Sequence, residues 1–287
     1  MEFGRLITAM VTPFDQDLQI DWAAAGKLID YLIDEQKTDS IIVSGTTGES
    51  PTLSEDEKLH LFEFSVKHAA GRCKVIAGTG SNDTSHTISL TQKAEALGVD
   101  GILLVTPYYN KPSQEGLYQH YKAVAASTSL PIMLYNVPGR TGVNLLPETT
   151  ARLSSIPNIT STKEAIGDLD QITKLLTIVD QDFIVYCGDD SLTLPMMSIG
   201  AHGIVSVASH VVGSSMKEMM EAHLSGDTGT AAKLHRQLLP VFKGLFEFPS
   251  PAPVKCALKL KGLETGGVRL PLLSANEQQE AFIASLF

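Results

Sequence analysis

The sequence predicts an α/β protein built as a (β/α)8 TIM barrel with a C-terminal helical appendage, and three observations carry that prediction. Eight short apolar runs recur along the chain, longer amphipathic stretches separate them, and polar, aromatic and glycine-rich motifs follow the runs at the same end each time. The runs lie at 6–11, 40–43, 75–77, 101–105, 131–135, 159–163, 183–187 and 203–207. Their hydrophobicity is continuous rather than alternating, the pattern of parallel strands covered on both faces.

The segments between the runs read as helices. Residues 21–35 place Ala24, Leu28, Tyr31 and Leu32 on one stripe suited to packing on a sheet. Ser54 is followed three residues later by Glu57, the spacing of a capping box. Asp83, Ser113, Pro147 and Ser191 stand where further helices would start. Such repeated strand–loop–helix units suit either a closed barrel or an open doubly wound sheet. Eight units without a nucleotide fingerprint favour the barrel. Gly78-Thr79-Gly80 begins like a dinucleotide fingerprint, but Asp83 takes the place of its third glycine. After a last helix near 214–224 the alternation stops. The remainder reads as helices only, broken by Pro249, Pro251 and Pro253. The expected division is a catalytic barrel over 1–225 and a C-terminal helical domain over 226–287.

Composition narrows the function. A length of 287 residues is at the upper end for a single barrel unit, and 43% hydrophobic residues supply a large core. A net charge of −10 argues against nucleic acid and against an anionic membrane surface, both of which reward a basic protein. An anionic substrate must then be caught by local donors. Cys73, Cys187 and Cys256 are far apart, odd in number and without C-x-x-C spacing, so neither a disulfide framework nor a zinc site is expected. Glu2 and Arg5 interrupt the N-terminus as a signal peptide, and no apolar run approaches the ~20 residues of a membrane span. The expectation is a cytoplasmic globular protein. The histidines form no H-E-x-x-H, and no G-x-S-x-G elbow is present.

In such a barrel the chemistry gathers at the carboxyl ends of the strands. There stand GTTGES (45–50), TPYYNKPSQEG (106–116), YNVPGRTG (135–142), KEAIG (163–167) and GDD (188–190). Lys163 closes a strand expected to be buried on both faces. A lysine there is either paired or desolvated with its neutral amine favoured, and a neutral amine attacks a ketone to give an imine. Equally, such a lysine can be salt-bridged to Glu164 or a nearby aspartate. Tyr135 ends the neighbouring strand, where its phenol can relay protons, with Thr46 or Thr47 extending the relay. It can also be an interior aromatic whose hydroxyl finds a backbone partner. Arg140 lies in a glycine-flanked loop, where its planar fork suits a carboxylate or a surface ion pair.

These five motifs, in order and at matching spacing over essentially the whole chain, resemble dihydrodipicolinate synthase, in the form found in Gram-positive bacteria. The resemblance implies a class I aldolase-type lyase of lysine and diaminopimelate biosynthesis. Pyruvate forms a Schiff base on Lys163, and the enamine attacks the aldehyde of L-aspartate 4-semialdehyde. By matching positions, Tyr135, Thr46 and Tyr109 form the proton relay, Tyr109 coming from a neighbouring subunit. Thr46 and Thr47 hold the pyruvate carboxylate, Arg140 holds that of the semialdehyde, and backbone at Gly188 and Val205 lines the pocket. No metal or organic cofactor is implied. The implied assembly is a homo-oligomer, at least a dimer, with the tetramer commoner in the family. Sister aldolases such as N-acetylneuraminate lyase or a keto-deoxy-sugar-acid aldolase share the lysine and tyrosine, and Arg140 with Tyr109 favours the synthase. A non-catalytic barrel acting as a scaffold is the reading from another class. One departure stands out. At the lysine feedback site of the family, Ser50, Leu53, Asn82 and Tyr108 match, whereas Pro51, Glu55, Lys58 and His86 do not. The resemblance therefore implies weak or absent inhibition by lysine.

Overall fold

A computed structural model describes residues 2–287, in which eight parallel strands pair in chain order and close β8 onto β1. The strands are β1 (Leu6–Ala9), β2 (Ser40–Val43), β3 (Lys74–Gly78), β4 (Gly101–Val105), β5 (Ile132–Asn136), β6 (Ile159–Glu164), β7 (Ile184–Cys187) and β8 (Gly203–Ser206). Every one falls on an apolar run of the sequence. The surrounding helices are α1 (Trp22–Asp34), α2 (Glu55–Ala69), α3 (Thr84–Ala96), α4 (Gln114–Ala125), the short α5 (Pro138–Thr141), α6 (Pro147–Ser154), α7 (Leu169–Ile178), α8 (Thr193–Ser198) and α9 (Ser209–Leu224). Three more form the tail: α10 (Thr228–Gly244), α11 (Ala252–Leu260) and α12 (Glu277–Ala284).

Successive strand side chains point to opposite faces, and that period of two makes two cores. Ile7, Ile42, Ile76, Leu103, Met133, Tyr186 and Val205 fill the barrel interior. Their strand neighbours, among them Leu6, Ile41, Val75, Ile102, Leu134, Val185 and Ile204, join the helices in the larger outer core. The continuous apolar runs are thus explained: neither face of a strand meets water.

Helix starts follow the sequence closely. Ser54 and Glu57 make the reciprocal capping box, and Asp83 and Ser113 cap α3 and α4 through their side chains. Pro147 occupies the first turn of α6, where its missing N–H has no partner to lose. Four details differ. The buried stripe of α1 is Ala25, Leu28, Ile29 and Leu32, with Ala24 and Tyr31 at its margin. Tyr31 turns its hydroxyl outward to accept from Gln36 Nε2 at 2.8 Å. Ser191 lies in a 3-10 turn capped by Asp189, and the α-helix begins only at Thr193. Helix α9 starts at Ser209, earlier than expected, and kinks at Val212.

The tail is not wholly helical either, for 261–276 carry no helix. Contacts with the barrel satisfy that stretch instead: the Phe14 N–H donates to Thr265 O at 3.1 Å, and Arg269 reaches back to Leu18 O, Thr52 O and the Glu57 carboxylate. Among the described residues no helix is long and apolar enough to cross a membrane. The three cysteines are free and buried.

Candidate active site

Strand register sets the centre of the site. Tyr135 on β5 and Lys163 on β6 are paired positions, as are Asn136 and Glu164 one residue on. The period of two then sends Tyr135 and Lys163 to the barrel interior and Asn136 and Glu164 outward. Lys163 is 6% exposed, and its Nζ lies 4.1 Å from the centroid of the Tyr135 ring. Among the described residues no carboxylate comes within ion-pair distance of it. The ion pair with Glu164 is therefore not formed. Glu164 accepts instead from Asn136 Nδ2 and Thr162 Oγ1, each at 2.9 Å. The Tyr135 hydroxyl has no hydrogen-bond partner among the described residues, so a buried aromatic anchored on backbone is excluded as well.

Room for the lysine comes from Gly188 at the end of β7. A Cβ built there would stand 3.1 Å from Lys163 Cε and 2.8 Å from the Ala165 Cβ, closer than side chains pack. The two aspartates after it have structural work. Asp189 accepts from the Ser191 N–H at 2.9 Å. Asp190 holds the segment after β8, accepting from Ser206 Oγ at 2.5 Å and from the N–H groups of Val207 and Ala208. Burial pushes its carboxyl up to about 6, against those hydrogen bonds.

The GTTGES segment leaves β2 as a tight turn. Gly48 and Ser50 donate their N–H groups to Gly45 O, and Glu49 donates to Thr46 O at 3.1 Å. Ser44 and Glu49 adopt positive φ of 56° and 57°, strained for side chains that are not glycine. Thr46 is exposed at the tip and Thr47 is buried. After β5, the chain makes the single turn of α5 and presents Arg140 at the surface, without an acidic partner among the described residues. Asn136 anchors this segment, donating to Asn144 Oδ1 at 2.9 Å and accepting from the Leu145 N–H at 3.0 Å. One side chain thereby ties the arginine loop to Glu164, the neighbour of Lys163. Burial raises the Glu164 carboxyl to about 7, and its two donors only partly offset that.

Thr46, Tyr109, Tyr135 and Arg140 share the wall of one cavity of about 970 Å³ at the carboxyl end of the barrel. Lys163, Thr47, Gly188 and Val205 lie outside that wall. Lys163 is behind the Tyr135 ring, and Val205 packs with Tyr135 and Val137 in the interior core. Tyr109 is 88% exposed at a φ of 72°. Backbone at Gly78 and Gly80 completes the wall; added Cβ atoms there would meet Ser44 O at 2.4 Å and the Val105 N at 2.5 Å. Close backbone approach, rather than a nucleotide, explains those glycines. The hub role of Asn136 and Glu164 escaped the sequence reading. Its one available signal was a pair of amide and carboxyl side chains directly following the two candidate catalytic residues. Among the described residues no three His, Cys, Asp or Glu side chains are grouped to hold a metal ion.

Comparison with known proteins shows the family. The description of the dihydrodipicolinate synthetase family matches residues 2–286. The chain belongs to that family. A 4-hydroxy-tetrahydrodipicolinate synthase of Bacillus velezensis is 58% identical over 286 residues, covering 100% of this chain and 99% of the relative. The enzyme of the same name from Bacillus subtilis is 57% identical over 286 residues, with 99% and 98% covered. Among solved structures, a dihydrodipicolinate synthase from Bacillus anthracis superposes with a TM-score of 0.98 at 53% identity, covering 100% of this chain and 98% of the other. A second family structure, from Cyanidioschyzon merolae with lysine bound, superposes with a TM-score of 0.97 at 44% identity, covering 99% and 97%.

Proposed function

We propose that this chain is a 4-hydroxy-tetrahydrodipicolinate synthase, a lyase that condenses pyruvate with L-aspartate 4-semialdehyde through a Schiff base on Lys163. The observation that carries the reading is the placement of Lys163: buried, free of any carboxylate among the described residues, and against the Tyr135 ring, which itself lines the cavity. A structural lysine in a barrel interior needs an acidic partner. A nucleophilic one needs to be without it.

In this reading the Lys163 amine attacks C2 of pyruvate, and the carbinolamine loses water to give the imine. The imine is the electron sink that allows a C3 proton to leave, giving an enamine. Its C3 forms the new C–C bond to the aldehyde carbon of the semialdehyde. The semialdehyde's own amine then attacks the imine carbon, closing the ring and expelling Lys163. Tyr135, Thr46 and Tyr109 carry the protons. Thr46 and Thr47 hold the pyruvate carboxylate, and Gly188 and Val205 shape the space around the adduct. Arg140, unpaired on the cavity wall, takes the semialdehyde carboxylate. None of these steps calls for a cofactor.

Tyr109 supports a homo-oligomer, a dimer at least and a tetramer in keeping with the family. A tyrosine 88% exposed on strained backbone gains nothing in an isolated subunit. In an assembly it can complete a neighbour's site. The setting expected for such an enzyme is the cytoplasm, with no nucleic acid or membrane partner.

Treatment with pyruvate and borohydride, followed by mass spectrometry, tests the central step. The adduct is expected on Lys163 and is lost in Lys163→Ala; an adduct on another lysine refutes the assignment. Sedimentation tests the assembly, and a fully active monomer at assay concentration refutes it.

A further inference from the structure

Among the contacts between the tail and the mouth of the barrel is one fully buried ion pair. Lys255 on α11 is 4% exposed, and its Nζ lies 3.0 Å from Glu49 Oε1 and 4.3 Å from the centroid of the Phe14 ring. It also donates to Gly267 O at 2.6 Å. Glu49 Oε2 accepts from the Arg269 N–H at 2.9 Å, and Arg269 is itself clamped by Glu57. The Glu49 and Lys255 side chains are 0% and 3% exposed. Burial lowers the Lys255 ammonium to about 8, with Glu49 opposing and Arg269 reinforcing that effect.

A dry ion pair is weak evidence for stability, because desolvation offsets its attraction and an apolar pair would join tail to barrel as well. What it does fix is the position of the residue it holds. That residue, Glu49, carries the strained φ of 57° and closes the turn on Thr46 O. Thr12 Oγ1 supports the same turn from β1's side, donating to Gly48 O at 2.7 Å. Neither Glu49 nor Lys255 lines the cavity.

We infer that the Glu49–Lys255 ion pair is a positioning device by which the C-terminal tail sets the Thr46–Thr47 turn for the substrate carboxylate. The inference rests on the reading of those threonines as the carboxylate's donors. Glu49 and Lys255 are positioning residues. They act through the turn and touch no reacting atom. The pair also gives the helical appendage a task at the active site, beyond adding mass to the barrel.

Lys255→Met tests this by removing the charge while keeping an apolar stem. Should that variant fail to fold with Glu49 left unpaired, Glu49→Gln combined with Lys255→Met removes both charges and keeps an acceptor for Arg269. Three readouts separate the possibilities: amide hydrogen exchange over 45–50, steady-state KM for pyruvate against kcat, and the pyruvate KM of Thr46→Val. Expected are exchange at Glu49 and Ser50 faster by about tenfold or more, and a pyruvate KM raised about tenfold. The semialdehyde KM should move less than about threefold, while kcat falls as well, because Thr46 of the same turn also stands in the proposed proton relay. Unchanged exchange in a folded variant overturns the inference. So does faster exchange with an unmoved pyruvate KM when Thr46→Val raises it. If Thr46→Val leaves that KM unmoved as well, the inference falls because the carboxylate reading has failed; faster exchange then shows that the latch itself was real.

Discussion

Tyr135 and Lys163 face each other from paired positions on adjacent strands, the lysine nitrogen 4.1 Å from the centre of the tyrosine ring. The ring gives the lysine an apolar bed, and the hydroxyl has no partner among the described residues, as the proposed role in the relay requires. Tyr135→Phe keeps the first and removes the second. Since no internal hydrogen bond is lost, the melting temperature should barely move. The relay should be crippled: kcat falls by about 10²–10⁴, while borohydride still fixes pyruvate on Lys163 at equilibrium. A kcat within a factor of about three of wild type would remove Tyr135 from the relay.

The barrel was legible in the sequence because its strands are dry on both faces, which prints short apolar runs on most of them whatever the helices do. Strand β6, ITSTKE, is apolar only at Ile159 and was placed by its spacing. The candidate catalytic side chains stood out for a related reason. A lysine or tyrosine ending such a run breaks the local rule, as Lys163 and Tyr135 do. What escaped was long-range. Glu164 pairs with Asn136 rather than Lys163 because strand alternation and register, not sequence adjacency, decide who meets whom. Lys255 reaches Glu49 across 206 positions, and nothing in a lysine within a predicted tail helix announces that. The coil at 261–276 was likewise hidden, since the barrel and not a local pattern satisfies its backbone.

Under the proposed function, Arg140 is the residue that divides the two substrates. It is exposed and unpaired, so Arg140→Ala should change stability by less than about 0.5 kcal/mol. The lost charge-assisted contact to the semialdehyde carboxylate is worth ~1.5–3 kcal/mol, roughly one to two decades in kcat/KM for that substrate. Pyruvate trapping should survive. Parallel loss of trapping would place Arg140 on pyruvate instead.

Glu164 predicts a pH trend in stability. Its folded carboxyl is raised to about 7 from an ordinary 4.5, so the native state holds its proton longer than the unfolded chain. The stabilisation is complete below the ordinary value and is lost as pH rises through about 7. The amount is on the order of 3 kcal/mol. Glu164→Gln removes this dependence whatever it costs outright. In urea melts at pH 5 and pH 8, the variant should gain on wild type at the higher pH. A constant difference would mean that Glu164 is ionised throughout.

The last prediction concerns inhibition by lysine. Ser50, Pro51, Lys58, Asn82, His86 and Tyr108 all line the same cavity as Thr46, Tyr109, Tyr135 and Arg140, and Leu53 is buried nearby. In the inhibited members that the sequence resembles, a histidine takes the place of Lys58 and an acid that of His86, and the acid partners the inhibitor's α-ammonium. Here Lys58 brings a cation instead, its ammonium depressed by burial with Glu55 opposing. Like charges about 4 Å apart cost ~1 kcal/mol in water and ~4 kcal/mol at an effective dielectric of 20. Asp83, on the cavity wall, caps α3 with Oδ1, which accepts from the Ser85 and His86 N–H groups. Glu55 is the other acid placed to compensate, and it too is committed elsewhere. It ion-pairs with Lys93 and lies 3.7 Å from His86 Nδ1, and the Lys93 contact holds its carboxyl below the ordinary range. Among the described residues the site therefore offers no uncommitted carboxylate, and it carries an extra cation, each worth about a decade or more in affinity. Lysine at a few millimolar should leave the rate almost unchanged, and Lys58→His with His86→Glu should restore inhibition. Half-inhibition of the unmodified enzyme well below about 1 mM would show that another group supplies the missing charge.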